Sequence, residues 1–177
     1  MSTANVTQSP NSPSGFGFAW RFAGIFLLLQ LLIVFQFGDV TQPFMIERAT
    51  VQPSVVLLDT LFPAEKPFAD GDTVRSKAVS LKVLRGCEGT EFYLLLAAAI
   101  LAFAASWRQK LLALAAGIAI VFALNQLRLL GLYVIVRDFR EYFQLVHVYF
   151  APLLLVAALV IVFSLWATRV LSPPRAA

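Results

Sequence analysis

Long apolar runs alternate with short polar interruptions along this chain. The runs at residues 19–37, 90–107, 111–136 and 148–167 are built mainly of Leu, Ala, Ile, Val and Phe. About twenty such residues, rising 1.5 Å each, cross a hydrocarbon core of roughly 30 Å, and a helix satisfies its own backbone there. The apolar centre of the second run, 92–106, is short and needs its flanks to reach that length. Residues 1–17, rich in Ser, Thr, Asn, Pro and Gly, read by composition as a disordered tail, and 172–177 as a C-terminal tail. No basic segment precedes the first run, which is longer than a signal-peptide core, so it reads as a retained anchor. The pattern predicts an all-α integral membrane protein: residues 18–171 forming about four transmembrane helices with a small loop region on one face.

The polar segment between the first two runs has its own pattern. Val79-Ser80-Leu81-Lys82-Val83 alternates as a strand does, and Asp70-Gly71-Asp72 predicts a turn before it. The stretch 53–63, apolar but too short to span, predicts an interfacial segment. Together these make a small cap with no internal repeat.

Composition agrees with the pattern. Of 177 residues, 59% are hydrophobic, 16 are Phe and only 14% are charged, which excludes an ordinary water-soluble domain. The net charge of +4 is spread over loops and helix ends without a basic patch, so nucleic acid is not an expected partner. Trp107-Arg108-Gln109-Lys110, read as a turn, and the tail 169–175 carry only positive charge, whereas 39–91 holds six basic and eight acidic residues. The positive-inside rule then puts the turn and both termini in the cytoplasm and the cap outside.

Three chemically distinctive residues fall on the cap side. Cys87, the only cysteine, lies just before the second run; Arg128 lies about 26 Å along a helix that starts at Leu111; His147, the only histidine, opens the last run. Buried cysteines are usually small inert hydrophobes. Against that, Gly86 and Gly89 leave room for an approaching peptide backbone, and Thr90 could cap a helix whose N-terminus favours a thiolate. Glu88 and Glu91 oppose a thiolate. Arg128 has a structural explanation in snorkelling, but Asn125 shares its helical face, and intramembrane ionisable groups are by default functional. His147 could simply pack beside Tyr142 and Tyr149, yet it is the natural acid or base beside Cys87. A metal site from Cys87, His147, Glu88 and Glu91 lacks any recognised spacing, and no metal or cofactor is expected.

Gly86-Cys87-Glu88-Gly89, Asn125-Gln126-Leu127-Arg128 and His147, in that order, resemble the exosortase/archaeosortase family of membrane transpeptidases. The likeness runs over residues 84–166. The further Gly-Cys-x-Gly-x-Glu form ending at Glu91, with Phe163-Ser164-Leu165-Trp166 after His147, looks most like the short exosortase H type. Many members carry more spans, and longer relatives have Ser or Ala after the Cys and Gly a turn beyond the His, where this chain has Glu88 and Ala151. The resemblance implies a multi-pass protein of the bacterial inner membrane with its site on the extracytoplasmic side. Its partners would be secreted proteins ending in a short motif, an apolar helix and a basic tail, with transfer to a surface acceptor. It further implies Cys87 as nucleophile, Arg128 as oxyanion donor and His147 as proton carrier, with Gly86, Gly89, Glu91 and Asn125 in support. A non-enzymatic membrane subunit and a membrane thiol or metal enzyme are the alternatives.

Overall fold

A computed structural model describes residues 15–33, 41 and 43–172. The expected tail up to residue 14, the end of the first run beyond residue 33 and residues 173–177 lie outside the described residues. The chain is mostly helical. α1 is Gly15–Leu32, so the first three residues after the undescribed segment are already helical rather than part of a tail. A wide π-helical segment, Phe44–Val51, leads into α2, Gln52–Leu61. The three-stranded antiparallel meander β1 (Phe68–Asp70), β2 (Thr73–Arg75) and β3 (Ser80–Lys82) follows. α3 is Thr90–Ala102 and α4 is Trp107–Asp138. A helical lead-in, Arg140–Tyr142, Phe143–Leu145 and the π-helical Val146–Phe150, runs into α5, Ala151–Leu171.

Among the described residues, two helical stretches are long and apolar enough to cross a membrane, Trp107–Asp138 and Arg140–Leu171. α1 and α3 are apolar but shorter. The predicted second span does not reach residue 107, because the chain turns extended at Phe103. Thirteen residues rise only about 20 Å. The residues expected to form a turn, 107–110, are instead the first turn of α4. Ser106 caps them: its side chain accepts from the Gln109 amide, and Gln109 Oε1 accepts from the Ser106 amide at 2.9 Å. This reciprocal cap contributes about 1 kcal/mol. After α4, helical structure resumes at Arg140.

Both π-helical segments end just before a proline near the start of an α-helix, Pro53 and Pro152. Proline cannot donate to the carbonyl four residues back, and its ring collides with it; a widened turn moves that carbonyl away. The Gln52 amide accordingly bonds Glu47 O, and the Ala151 amide bonds Val146 O, each five residues back.

The fold has two packed regions. In one, Val51 and Leu58 from the α2 segment, Val74, Leu81 and Val83 from the sheet, and Leu129, Leu132 and Tyr133 from α4 are buried together. The predicted interfacial stretch, 53–63, therefore contributes Leu58, with Val55 and Phe62 beside it, to a core, and the cap is folded onto α4. The predicted Asp70-Gly71-Asp72 turn closes the first hairpin: Asp70 pairs with Thr73, Gly71 takes a φ of +57°, and the Thr73 hydroxyl and Lys82 hold the Asp72 carboxyl below its usual pKa. In the other region Leu96, Ile100, Val121 and Leu159 pack with Phe163 and Trp166. Elsewhere Leu112, Leu127, Leu153, Leu154 and Leu165 face outward, the reverse of a soluble bundle and the arrangement lipid requires.

Candidate active site

The short α3 governs where Cys87 sits. Its N-terminus comes level with Asn125 and Arg128 rather than with the end of α4, and the last ten residues of α4, about 15 Å of helix, rise past it into the cap. Cys87 lies in a tight turn whose amide donates to Leu84 O at 2.9 Å. Gly86 and Gly89 have φ of +82° and +86°, values that residues with a Cβ rarely adopt. Gly89 also serves packing: a Cβ there would lie 3.0 Å from Asn125 Cγ. The room expected for a substrate backbone is thus filled at this position by Asn125. Gly89, not Thr90, occupies the N-cap of α3 and no side chain caps it; Thr90 Oγ1 instead donates to Glu88 Oε1 at 3.3 Å.

α4 grips the turn by its carbonyls. Asn125 Nδ2 donates to Glu88 O at 2.9 Å, and Arg128 Nη1 donates to Cys87 O at 3.2 Å and lies 3.5 Å from Asn125 Oδ1. Arg128 therefore turns into the protein and does not merely snorkel. Its Nε is buried with no partner among the described residues, so one N–H of the guanidinium is unspent. From the other side, His147 Nε2 lies 3.5 Å from Cys87 Sγ. The imidazole is stacked on Phe143, centroids 5.1 Å apart and planes 8° from parallel, and its Nδ1 is buried without a partner among the described residues. Stacking on Phe143, one turn earlier in the helical lead-in, thus orients the ring.

Cys87, Asn125, Arg128 and His147 line one cavity of about 540 Å³, walled on the cap side by residues 80–84, a size that suits a small ligand or a few peptide residues. Gly86, Gly89 and Glu91 do not line it; Glu91 is exposed on the first turn of α3. Among the described residues, no three His, Cys, Asp or Glu side chains converge to hold a metal.

Sequence reasoning missed the buried polar cluster behind the turn. Gln126 Nε2 donates to Ala49 O at 3.0 Å, Ser54 Oγ lies 2.5 Å from Gln126 Oε1 and 2.7 Å from Thr50 O, and Thr50 Oγ1 donates to Glu88 O at 3.4 Å. These bonds tie the α2 segment to α4 and to the residue after the nucleophile candidate. Glu88 itself is 5% exposed. The one available signal was Gln126, a second amide in an otherwise apolar run.

A membrane-embedded bundle whose cysteine, imidazole and guanidinium converge beneath a small cap defines a class of protein, and comparison with known proteins agrees with it. The sequence model of the transmembrane exosortases matches residues 12–164, so the chain belongs to the transmembrane exosortase family and is a membrane protein. No curated protein and no solved structure matches the chain.

Proposed function

We propose that this protein is a cysteine transpeptidase or peptidase that cleaves the C-terminal sorting signal of secreted proteins at the extracytoplasmic face of the bacterial inner membrane. The observation that carries the reading is the 3.5 Å approach of Cys87 Sγ to His147 Nε2, with Arg128 on the carbonyl of the same cysteine. Nucleophile and base thus lie within reach of an S–H···N hydrogen bond.

The steps follow from those positions. His147 Nε2 takes the thiol proton, and Cys87 Sγ forms a bond to the scissile carbonyl carbon. The developing oxyanion is held by Arg128, one donor of this kind contributing about 10²- to 10³-fold. Collapse breaks the C–N bond as His147 returns its proton to the leaving amine, and a thioester remains. An amine on a surface acceptor, or water, then attacks the thioester carbonyl while His147 takes the attacker's proton; the C–S bond breaks, Cys87 leaves as the thiolate, and His147 returns the proton to it. Arg128 Nη1 and Asn125 hold the Cys87–Gly89 backbone throughout, so the nucleophile needs little reorganisation.

The test is co-expression with a tagged substrate bearing a short motif, an apolar helix and a basic tail, read by product size. Cys87→Ala should accumulate in the membrane at normal levels, because a half-buried turn residue gives up little packing, and it should leave only full-length substrate. Wild-type processing by Cys87→Ala would end this reading and favour a non-enzymatic subunit.

A further inference from the structure

β3 is an edge strand. Among the described residues it pairs only with β2, in the register Thr73 with Lys82, Val74 with Leu81 and Arg75 with Ser80. The bonds flanking the ladder fix which backbone groups are in use: Val83 N donates to Asp72 O at 2.9 Å and Ser76 N to Val79 O at 2.8 Å. Since an antiparallel pair alternates, residues 79, 81 and 83 direct their N–H and C=O toward β2, while Ser80 and Lys82, and the N–H of Leu84, direct theirs to the open side. The Leu84 carbonyl is already spent on the Cys87 amide.

That open side is the wall of the candidate active site. Ser80, Leu81, Lys82, Val83 and Leu84 all line the cavity that holds Cys87, Arg128 and His147. Successive side chains of a strand point to opposite faces, and here Leu81 is buried while Ser80 and Lys82 are exposed. Five consecutive residues border one cavity only if the strand lies edge-on to it. The chain then runs directly from β3 into the Cys87 turn, so groups bound along the edge are in line with the thiol.

We infer that the free edge of β3 is the docking site for the extended peptide segment around the substrate's scissile bond, which joins the sheet as a fourth strand and so carries its carbonyl to Cys87. The inference rests on the cysteine-peptidase reading above and adds to it how substrate is held: main-chain pairing supplies affinity and register independently of sequence, while the cavity beside the strand reads alternate side chains. An unpaired edge is a liability in a folded protein. Here it borders a cavity of about 540 Å³, room for a few residues of one extended peptide.

Two measurements test this with the full-length protein in membranes and the same tagged substrate. Lys82→Pro removes an edge N–H that β2 does not use, and proline is tolerated on edge strands; processing should be about tenfold slower than in Lys82→Ala, which loses the same side chain and its ion pair with Asp72 but keeps the N–H, the worth of a peptide hydrogen bond lost on binding. Ala69→Pro makes the same change on the outer edge of the sheet, where β1 pairs with β2, and should process at the wild-type rate. Alkylation of Cys87 by iodoacetamide, unchanged in Lys82→Pro, would show that the thiol turn is intact. The second measurement is disulfide cross-linking between Ser80→Cys, in a Cys87→Ser background, and single cysteines stepped along the substrate upstream of its apolar helix. Cross-links should recur at every second substrate position. Processing by Lys82→Pro at the rate of Lys82→Ala, or cross-links that recur every three to four positions or nowhere, overturns the edge-docking inference. Should Lys82→Pro not accumulate, the cross-linking pattern alone decides. Processing by Cys87→Ala would instead overturn the reading beneath it, so the two failures are distinguishable.

Discussion

The two ends of α4 are held by different forces. At its start, Lys110 Nζ lies over the Trp107 ring of the same helix and donates to Leu101 O at the end of α3 at 2.7 Å. Beyond that, contact is aromatic and aliphatic: Ala113, Leu114 and Val121 pack with Leu96, Ile100, Leu159, Phe163 and Trp166, and beside them Phe103 packs edge-on to Phe18 and Phe163 and against Trp166, with centroids 5.4–6.3 Å apart. In its second half, α4 is joined to its neighbours by directional bonds from Asn125, Gln126, Arg128 and Tyr133, whose hydroxyl lies 2.7 Å from Ser76 Oγ and 3.0 Å from Glu65 Oε2. Apolar packing in a membrane is tolerant of small shifts, because dispersion falls off over several tenths of an ångström. A buried hydrogen bond is not: a donor left without its acceptor costs about 1–3 kcal/mol. The contrast shows where this chain invests in geometry. It fixes the end that carries the thiol and leaves the other adaptable.

The largest effect is expected where charge is conserved and geometry is not. Arg128→Lys keeps a cation at the end of a long stem but loses the planar fork that reaches Cys87 O while leaving an N–H unspent. Processing should fall about 10²- to 10³-fold at matched membrane abundance. A rate near wild type would mean that Arg128 supplies only charge, and would move the oxyanion donor to Asn125 or a backbone amide.

Next is Gly89→Ala. The new Cβ would lie 3.0 Å from Asn125 Cγ on a backbone at φ +86°, which costs an L-residue about 1–2 kcal/mol. Asn125 has to yield, and its bond to Glu88 O yields with it. Substrate processing should drop about tenfold or more while the protein still accumulates, as a time course of product against immunoblotted enzyme would show. Gln126→Leu should rank third. It removes the bonds to Ala49 O and Ser54 and leaves that carbonyl buried, so thermal unfolding in detergent should occur earlier by an amount equivalent to about 1–3 kcal/mol. Its effect on processing should be smaller than that of Gly89→Ala, because Gln126 reaches the thiol turn only through Ser54 and Thr50.

The same contrast explains what could be read from the chain. The apolar runs, the hairpin turn at Gly71 and the strand at Leu81 were legible because each follows from local pattern. Ser106 and Gln109 form a capping box visible as Ser-Trp-Arg-Gln, a start signal that falls between two apolar runs where the pattern alone reads as a turn. Pro53 and Pro152 likewise marked the two wide turns. The convergence of Cys87, Arg128 and His147 on one cavity could be anticipated from alternation of the runs. The depth at which they meet could not, since it depends on α3 stopping at Ala102. The polar cluster of Thr50, Ser54 and Gln126 was hidden for another reason: hydrogen bonds joining residues 38 to 77 apart leave no periodicity.

Gly117→Ala should have the smallest effect and is the sharpest control for the comparison. On paper it is the worse clash: an added Cβ would lie 2.8 Å from Leu96 Cδ2, closer than Gly89's would be to Asn125. Two features make it milder. Gly117 is in the middle of α4, where alanine is favoured over glycine by roughly 0.5–1 kcal/mol. The atom it meets is the tip of a flexible aliphatic side chain with no hydrogen bond to lose, so a small rotation of Leu96 or a slight separation of α3 from α4 relieves the contact. The two contributions oppose each other, and the net change in stability should stay within about 1 kcal/mol. Processing should be unaffected, as α3 can shift at its far end without disturbing a thiol turn pinned by Asn125 and Arg128. If Gly117→Ala instead impaired processing as much as Gly89→Ala, the aromatic end of the bundle would be setting the position of Cys87 through α3. The division between a fixed end and an adaptable one would then be wrong.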